Sequence, residues 1–152
     1  MIKAHIRKAQ KSDAASILFL IQELAIFEKE PRAVIVTQAQ IEKDGFGDHP
    51  LFECFVAEVT NQLVGMALYY PRYSTWKGPT FHLEDLIVTE PMRGKGIGTQ
   101  LYNAFLEHSH NKGVKRVEWP FWTGISRPLS FIKKAVPQFR TIGEVYKWTK
   151  QV

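Results

Sequence analysis

The chain has 152 residues, 45% hydrophobic and 23% charged, a balance that suits one soluble domain with a sizeable core. It contains no apolar run of about 18 residues, and "MIKAHIRKAQKSDAAS" lacks the apolar stretch of a signal peptide, so neither a membrane span nor a leader is expected. The net charge of +5 invites nucleic acid as a partner, but residues 120–152 hold six basic side chains against Glu144 alone, leaving the first 119 residues with 14 basic and 14 acidic, so no nucleic-acid partner is expected.

In chain order, "KAHIRKA" alternates well enough for a first strand. Ser12 and Asp13 are good helix caps, and behind them Ile17, Leu20, Ile21 and Leu24 recur at helical spacing. Thr37 and Gln40 fit a capping box for a short second helix ending near "KDGFG". "LFECFVAEV" and "LVGMALYY" read as an antiparallel hairpin turning near Asn61. Cys54, the lone cysteine, lies in the first of these strands and is read as a buried, inert thiol; having no partner for a disulfide, it fits a reducing cytoplasm. "TFHLEDLIV" is a further strand, "GTQLYNAFLEHSH" a helix with Leu101, Ala104, Phe105 and His108 on one face, and "VKRVEW" a last strand. The pattern is a single α/β domain over residues 1–152.

Between "TFHLEDLIV" and that helix lies "RGKGIG". It is not a P-loop, because Gly96 is followed by Ile97, and the even spacing of Gly94, Gly96 and Gly98 does not fit the dinucleotide G-x-G-x-x-G. Its position, after a strand and at a helix N-terminus, is that of an anion site. Unpaired N–H groups and the helix dipole attract phosphate there, and glycines let it approach the backbone. Arg93 and Lys95 add positive charge.

"RGKGIG" also matches, through Arg93, Gly96 and Gly98, the R-x-x-G-x-G signature of GNAT acetyltransferases. Together with "LIQELAIFEKE", "DGFGDHPLFECFVAEV", "YSTWKG" and "LEDLIV", the chain resembles the spermidine/spermine and thialysine branch of that family from about residue 3 to Trp119. The resemblance implies a mixed, mostly antiparallel sheet flanked by helices, with a splayed strand pair holding acetyl-CoA. The pyrophosphate would lie on Arg93, Gly94, Lys95, Gly96, Ile97, Gly98 and Thr99, and the pantetheine arm along the backbone of Leu86, Ile87 and Val88. One of those amides would polarise the thioester, a donor worth about 3–4 kcal/mol in the transition state.

It also implies direct attack by an amine, so Cys54 is not needed. An alkylammonium with a pKa of about 10.4 costs roughly 4–5 kcal/mol to deprotonate at pH 7, and a carboxylate can bind the cation and pass its proton onward. Glu84 and Asp85, adjacent on a strand, are expected on opposite faces, with one in the cleft. By resemblance Glu84 is the catalytic carboxylate, and Phe27 and Glu28 also contact the amine, with Phe27 standing where a Tyr often occurs. His82 and His108 are read as structural, and no His/Cys cluster has metal spacing. "YYPRYSTW" is expected to be a loop beside the substrate and the other subunit of a homodimer.

After Trp119 the pattern changes. The family's V-L-D-W-N, P-A and F-Y-x-x-x-G-A, carrying a coenzyme-binding Asn and a Tyr acid, are replaced by "PFWTGISRPLSFIKKAVPQFRTIGEVYKWTK". Taking the third base of each codon with the first two of the next, Phe121–Trp122 forces Leu and Trp122–Thr123 forces Asp, and the following codons permit the rest of the family tail. The tail thus reads as frame-shifted, which leaves two functional readings: an acetyltransferase, or an acetyl-CoA-binding module lacking its acid.

Overall fold

The structure, a computed structural model, describes residues 1–119 and the backbone of two short strands, 139–142 and 145–148. The strands are β1 (His5–Lys8), β2 (Glu53–Val59), β3 (Gln62–Ser74), β4 (Gly78–Val88), β5 (Arg116–Glu118), β6 (Phe139–Ile142) and β7 (Val145–Trp148). The helices are α1 (Ala14–Phe27), α2 (Gln38–Phe46) and α3 (Ile97–Asn111). All seven strands form one sheet in the order β1-β2-β3-β4-β5-β7-β6. Among the described strand pairs only β4 and β5 are parallel, and α3 lies in the crossover between them. No helix among the described residues is long and apolar enough to cross a membrane.

Local chemistry accounts for the element ends. Thr37 caps α2 by accepting from Gln40 N at 3.2 Å. Thr60 and Asn61 have φ of +51° and +59°, the paired left-handed residues of a two-residue hairpin turn. Asp13 stands at the N-cap of α1, but its carboxylate is used elsewhere. It accepts from Gln10 N at 2.7 Å and pairs with Arg7 at 2.7 Å, contacts that hold it below the usual carboxylate range against the opposing effect of burial.

The two-residue alternation of the strands sorts the core into two layers. Ala67, Tyr69, Phe81 and Leu83 pack under Leu101 and Phe105 of α3. Cys54, Val56, Met66 and Leu68 pack under Ile17 and Leu20 of α1 and Ile41 of α2. Each fully buried large side chain contributes about 1.5–3 kcal/mol. Burial pushes the Cys54 thiol far up, so the sulfur stays protonated. His108 packs edge-on to Phe55 and parallel to Phe81, and burial, then Lys8, holds it below the ordinary histidine range.

One expected loop is strand. Tyr69–Ser74 continue β3 and pair with Gly78–Leu83, leaving only Thr75, Trp76 and Lys77 as the turn. Tyr70 and Tyr73, good strand residues, gain cross-strand partners there, and that pairing overrides the proline between them.

Candidate active site

The glycine loop follows a short 3-10 turn, Glu90–Met92, and ends on α3. Gly94 and Gly96 have φ of +74° and +82°, a region costly for any residue with a Cβ. The first internal bond of α3 runs from Gln100 N to Gly96 O at 3.3 Å, so the N–H groups of Ile97, Gly98 and Thr99 precede it. The cationic side chains of the loop are turned onto the protein. Lys95 Nζ donates to Pro91 O at 2.9 Å, and Arg93 Nε to Val88 O at 2.8 Å. An anion here is therefore met by backbone N–H groups, with the two charges behind them. A Cβ on Gly94 would meet no atom within 4 Å, so space lies open there, whereas at Gly96 it would meet the Met1 side chain at 2.7 Å.

Among the described residues, the strand entering the loop has an open edge. β5 pairs with β4 only at Thr80–His82, whereas β3 follows β4 up to Val88. Thr89 N donates to Val64 O at 2.8 Å, and the two-residue alternation carries the same pairing to Ile87 and Asp85. Leu86 and Val88 therefore present their backbone groups to the open side. Ile87, expected beside them, turns its own into the β3 ladder. A pantetheine arm laid along this edge meets Leu86 and Val88, and the Val88 carbonyl already accepts from Arg93.

At Glu84 the β3–β4 register slips by one residue: Leu68 faces Asp85 but Tyr69 faces Leu83. This bulge corrects the expectation for the carboxylates. Glu84 is the extra residue, so the alternation restarts after it and both Glu84 and Asp85 lie on the α1 side of the sheet. Glu84 is half exposed and accepts from Tyr70 Oη at 3.1 Å. Asp85, opposite Leu68, is pushed up to about 6 by burial, with Glu84 and then Glu28 adding repulsion. Three carboxylates thus converge beside the open edge, and an ordinary alternation hid one of them.

The end of α1 closes the other side. Phe27 and Glu28 are exposed at its C-terminus, and the Phe27 ring lies 4.8 Å from the Arg93 guanidinium. One turn earlier, Glu23 accepts from Thr89 Oγ1 at 2.7 Å and from Glu90 N at 2.8 Å, and approaches Arg93 at 3.4 Å. His82, read as structural from sequence, also belongs here, with Nε2 3.4 Å from Glu84. Its only sequence signal was its position two residues before Glu84. The expectations for the family's Asn and Tyr and for a shifted frame fall on residues 120–152, of which only the backbone of β6 and β7 is among the described residues.

Residues 15–126 match the model of the acetyltransferase (GNAT) family. The chain is 36% identical over 151 residues to a mouse (Mus musculus) thialysine N-epsilon-acetyltransferase, covering 94% of this chain and 85% of that one. It is 44% identical over 103 residues to human (Homo sapiens) spermidine/spermine N(1)-acetyltransferase-like protein 1, covering 63% of this chain and 15% of that protein. Among solved structures, an aminoglycoside acetyltransferase from an uncultured soil metagenomic sample, in complex with sisomicin, superposes with a TM-score of 0.77. That pair is 20% identical and covers 97% of both chains, a likeness of fold.

Proposed function

The chain belongs to the GNAT acetyltransferase family, and from that premise we propose that its acetyl acceptor is a primary amine of a polyamine or small diamine, spermidine-, spermine- or thialysine-like. The observation that carries this reading is the gathering of Glu28, Glu84 and Asp85 on one face beside the open edge of β4. Several carboxylates around one cleft suit an acceptor with more than one ammonium group. Burial raises Asp85 most, and the repulsion from Glu84 and Glu28 that adds to it is relieved when a cation arrives.

The open edge at Leu86 and Val88 and the amides of Gly94–Thr99 fit the donor, acetyl-CoA, which supplies the thioester carbonyl that the amine attacks directly. The chain binds and orients both partners and takes up the proton. Glu84, reachable from solvent, holds the ammonium. Asp85, with a pKa of about 6, is matched to accepting a proton near neutrality. The buried Cys54 takes no part. The protein acts as a cytoplasmic homodimer on this reading, supported by exposed apolar side chains at Phe19 and Ile26 on α1 and at Tyr73 and Trp76 near the β3–β4 turn.

A panel of amines assayed with acetyl-CoA by thiol release tests the proposal. Turnover on polyamines or small diamines, exceeding that on monoamines, is expected. Equal turnover on mono- and diamines, or none on any amine, overturns it.

A further inference from the structure

Glu84 is held in an unusual way. Tyr70 Oη approaches its Oε2 at 3.1 Å, and His82 Nε2 approaches the same oxygen at 3.4 Å. Tyr70 and His82 face each other across β3 and β4, with ring centroids 5.0 Å apart. The bulge then swings Glu84 onto the same face as both. Among the described residues no donor reaches Oε1.

The imidazole has its own support. Arg72 Nη1 lies 3.2 Å from His82 Nδ1. A guanidinium can only donate, so Nδ1 is the acceptor and the proton of the neutral ring sits on Nε2, toward Glu84. Arg72 is fixed in turn by Glu118, whose Oε2 it meets at 2.6 Å. Glu118 is buried, pairs also with Arg116, and lies 3.6 Å from Nδ1. The charged and titratable groups around His82 are thus Glu84 on β4, Tyr70 and Arg72 on β3, and Glu118 and Arg116 on β5. Burial, then the charge of Glu84, pushes the Tyr70 phenol up, which keeps it a donor.

We propose that Tyr70 and His82 are positioning residues that pin Glu84 by one oxygen, Oε2, and leave Oε1 to receive the substrate ammonium, with Arg72 and Glu118 fixing the imidazole tautomer that does so. The inference rests on the reading of Glu84 as the amine-binding carboxylate. The terminal torsion of a free glutamate is broad. Two contacts on one oxygen fix the plane of the carboxylate and so reserve the other. The distance at Nε2 is long for a closed hydrogen bond, so the shorter Tyr70 contact is the stronger of the two.

The test uses steady-state kinetics with spermidine and acetyl-CoA, together with thermal unfolding. His82→Phe should lower kcat/KM for the amine by about tenfold, the scale of one hydrogen bond to a charged group, with the KM for acetyl-CoA unchanged. His82→Gln, whose amide can donate in place of Nε2, should recover to within about threefold of wild type. Arg72→Met should lose less than His82→Phe and in the same parameter. On a Glu84→Gln background, His82→Phe should add no further loss, because the group it positions is already gone. Should His82→Phe not fold, Tyr70→Phe on both backgrounds provides the same cycle.

Parallel losses in melting temperature, acetyl-CoA KM and amine kcat/KM, with no rescue by Gln, would mean a merely structural role and overturn the proposal. A loss in Glu84→Gln without one in His82→Phe overturns the positioning role alone. No loss in Glu84→Gln overturns that role together with the reading beneath it.

Discussion

The two halves of β4 are built from similar residues and do different work. From Gly78 to Leu83 the strand has neighbours on both sides, β3 throughout and β5 at Thr80–His82, and its Phe81 and Leu83 lie in the α3 core. From Asp85 to Val88 it keeps β3 alone among the described residues, which leave its other edge open. Glu84 divides them. The closed half satisfies its backbone inside the sheet, whereas the open half leaves the polar groups of Leu86 and Val88 without a partner strand among the described residues. Two small changes, a withdrawn neighbour and one extra residue, turn a structural strand into the edge on which the proposed donor site rests. The same extra residue puts two adjacent carboxylates on one face.

The sharpest way to break this contrast is to spoil the loop that the open half feeds. Gly96→Val should lower acetyl-CoA affinity by roughly 100-fold, equivalent to one or two charge-assisted hydrogen bonds. The β-branched side chain is strained at a φ of +82° and shields the amides behind it. Calorimetry reads the effect, and an unchanged affinity would place the phosphates elsewhere. Glu84→Gln should lower amine turnover by at least about tenfold while leaving acetyl-CoA affinity nearly intact. Equal loss of coenzyme affinity in both variants would mean that the bulge and the loop do not serve separate partners.

A pH series on Asp85 sharpens the comparison further. Its carboxyl is raised in the fold from 3.8 to about 6, so the native state binds the proton more tightly than the unfolded chain. Stability contributed by this group is present below pH 4 and lost as pH rises through 6. Asp85→Asn should therefore stabilise the protein at pH 8 by up to roughly 3 kcal/mol and by little at pH 4. It should also remove an acid limb near pH 6 from amine turnover. A stability gain of equal size at both pH values would contradict the assignment. The smallest effect is expected at Cys54: Cys54→Ala should leave turnover within about twofold, since only direct attack is required, at a cost of about 1 kcal/mol in unfolding free energy.

What could be read from the sequence was whatever local spacing encodes. The stripe Ile17, Leu20, Ile21 and Leu24, the Thr37 cap, the turn at Asn61 and the glycine loop all depend on neighbours within a few residues. The bulge does not, because it is a mismatch between β3 and β4 and exists only once they pair. Hence local spacing puts Glu84 and Asp85 on opposite faces and reads the extension of β3 through Tyr73 as a loop. The surroundings of His82 are hidden for the same reason. Its chemistry comes from Arg72 on one neighbouring strand and Glu118 on another.

Glu23 changes what counts as the portable unit in this protein. Its carboxylate serves the Thr89 hydroxyl, the Glu90 amide and the Arg93 guanidinium, the last from 70 positions away in the chain. Grafting "TEPMRGKGIG" behind a strand of another protein would leave those donors without their acceptor, at about 1–3 kcal/mol for each one left buried. The graft would also separate Arg93 from the Phe27 ring that it covers. An engineer who wishes to move this loop must therefore carry a turn of α1 with it.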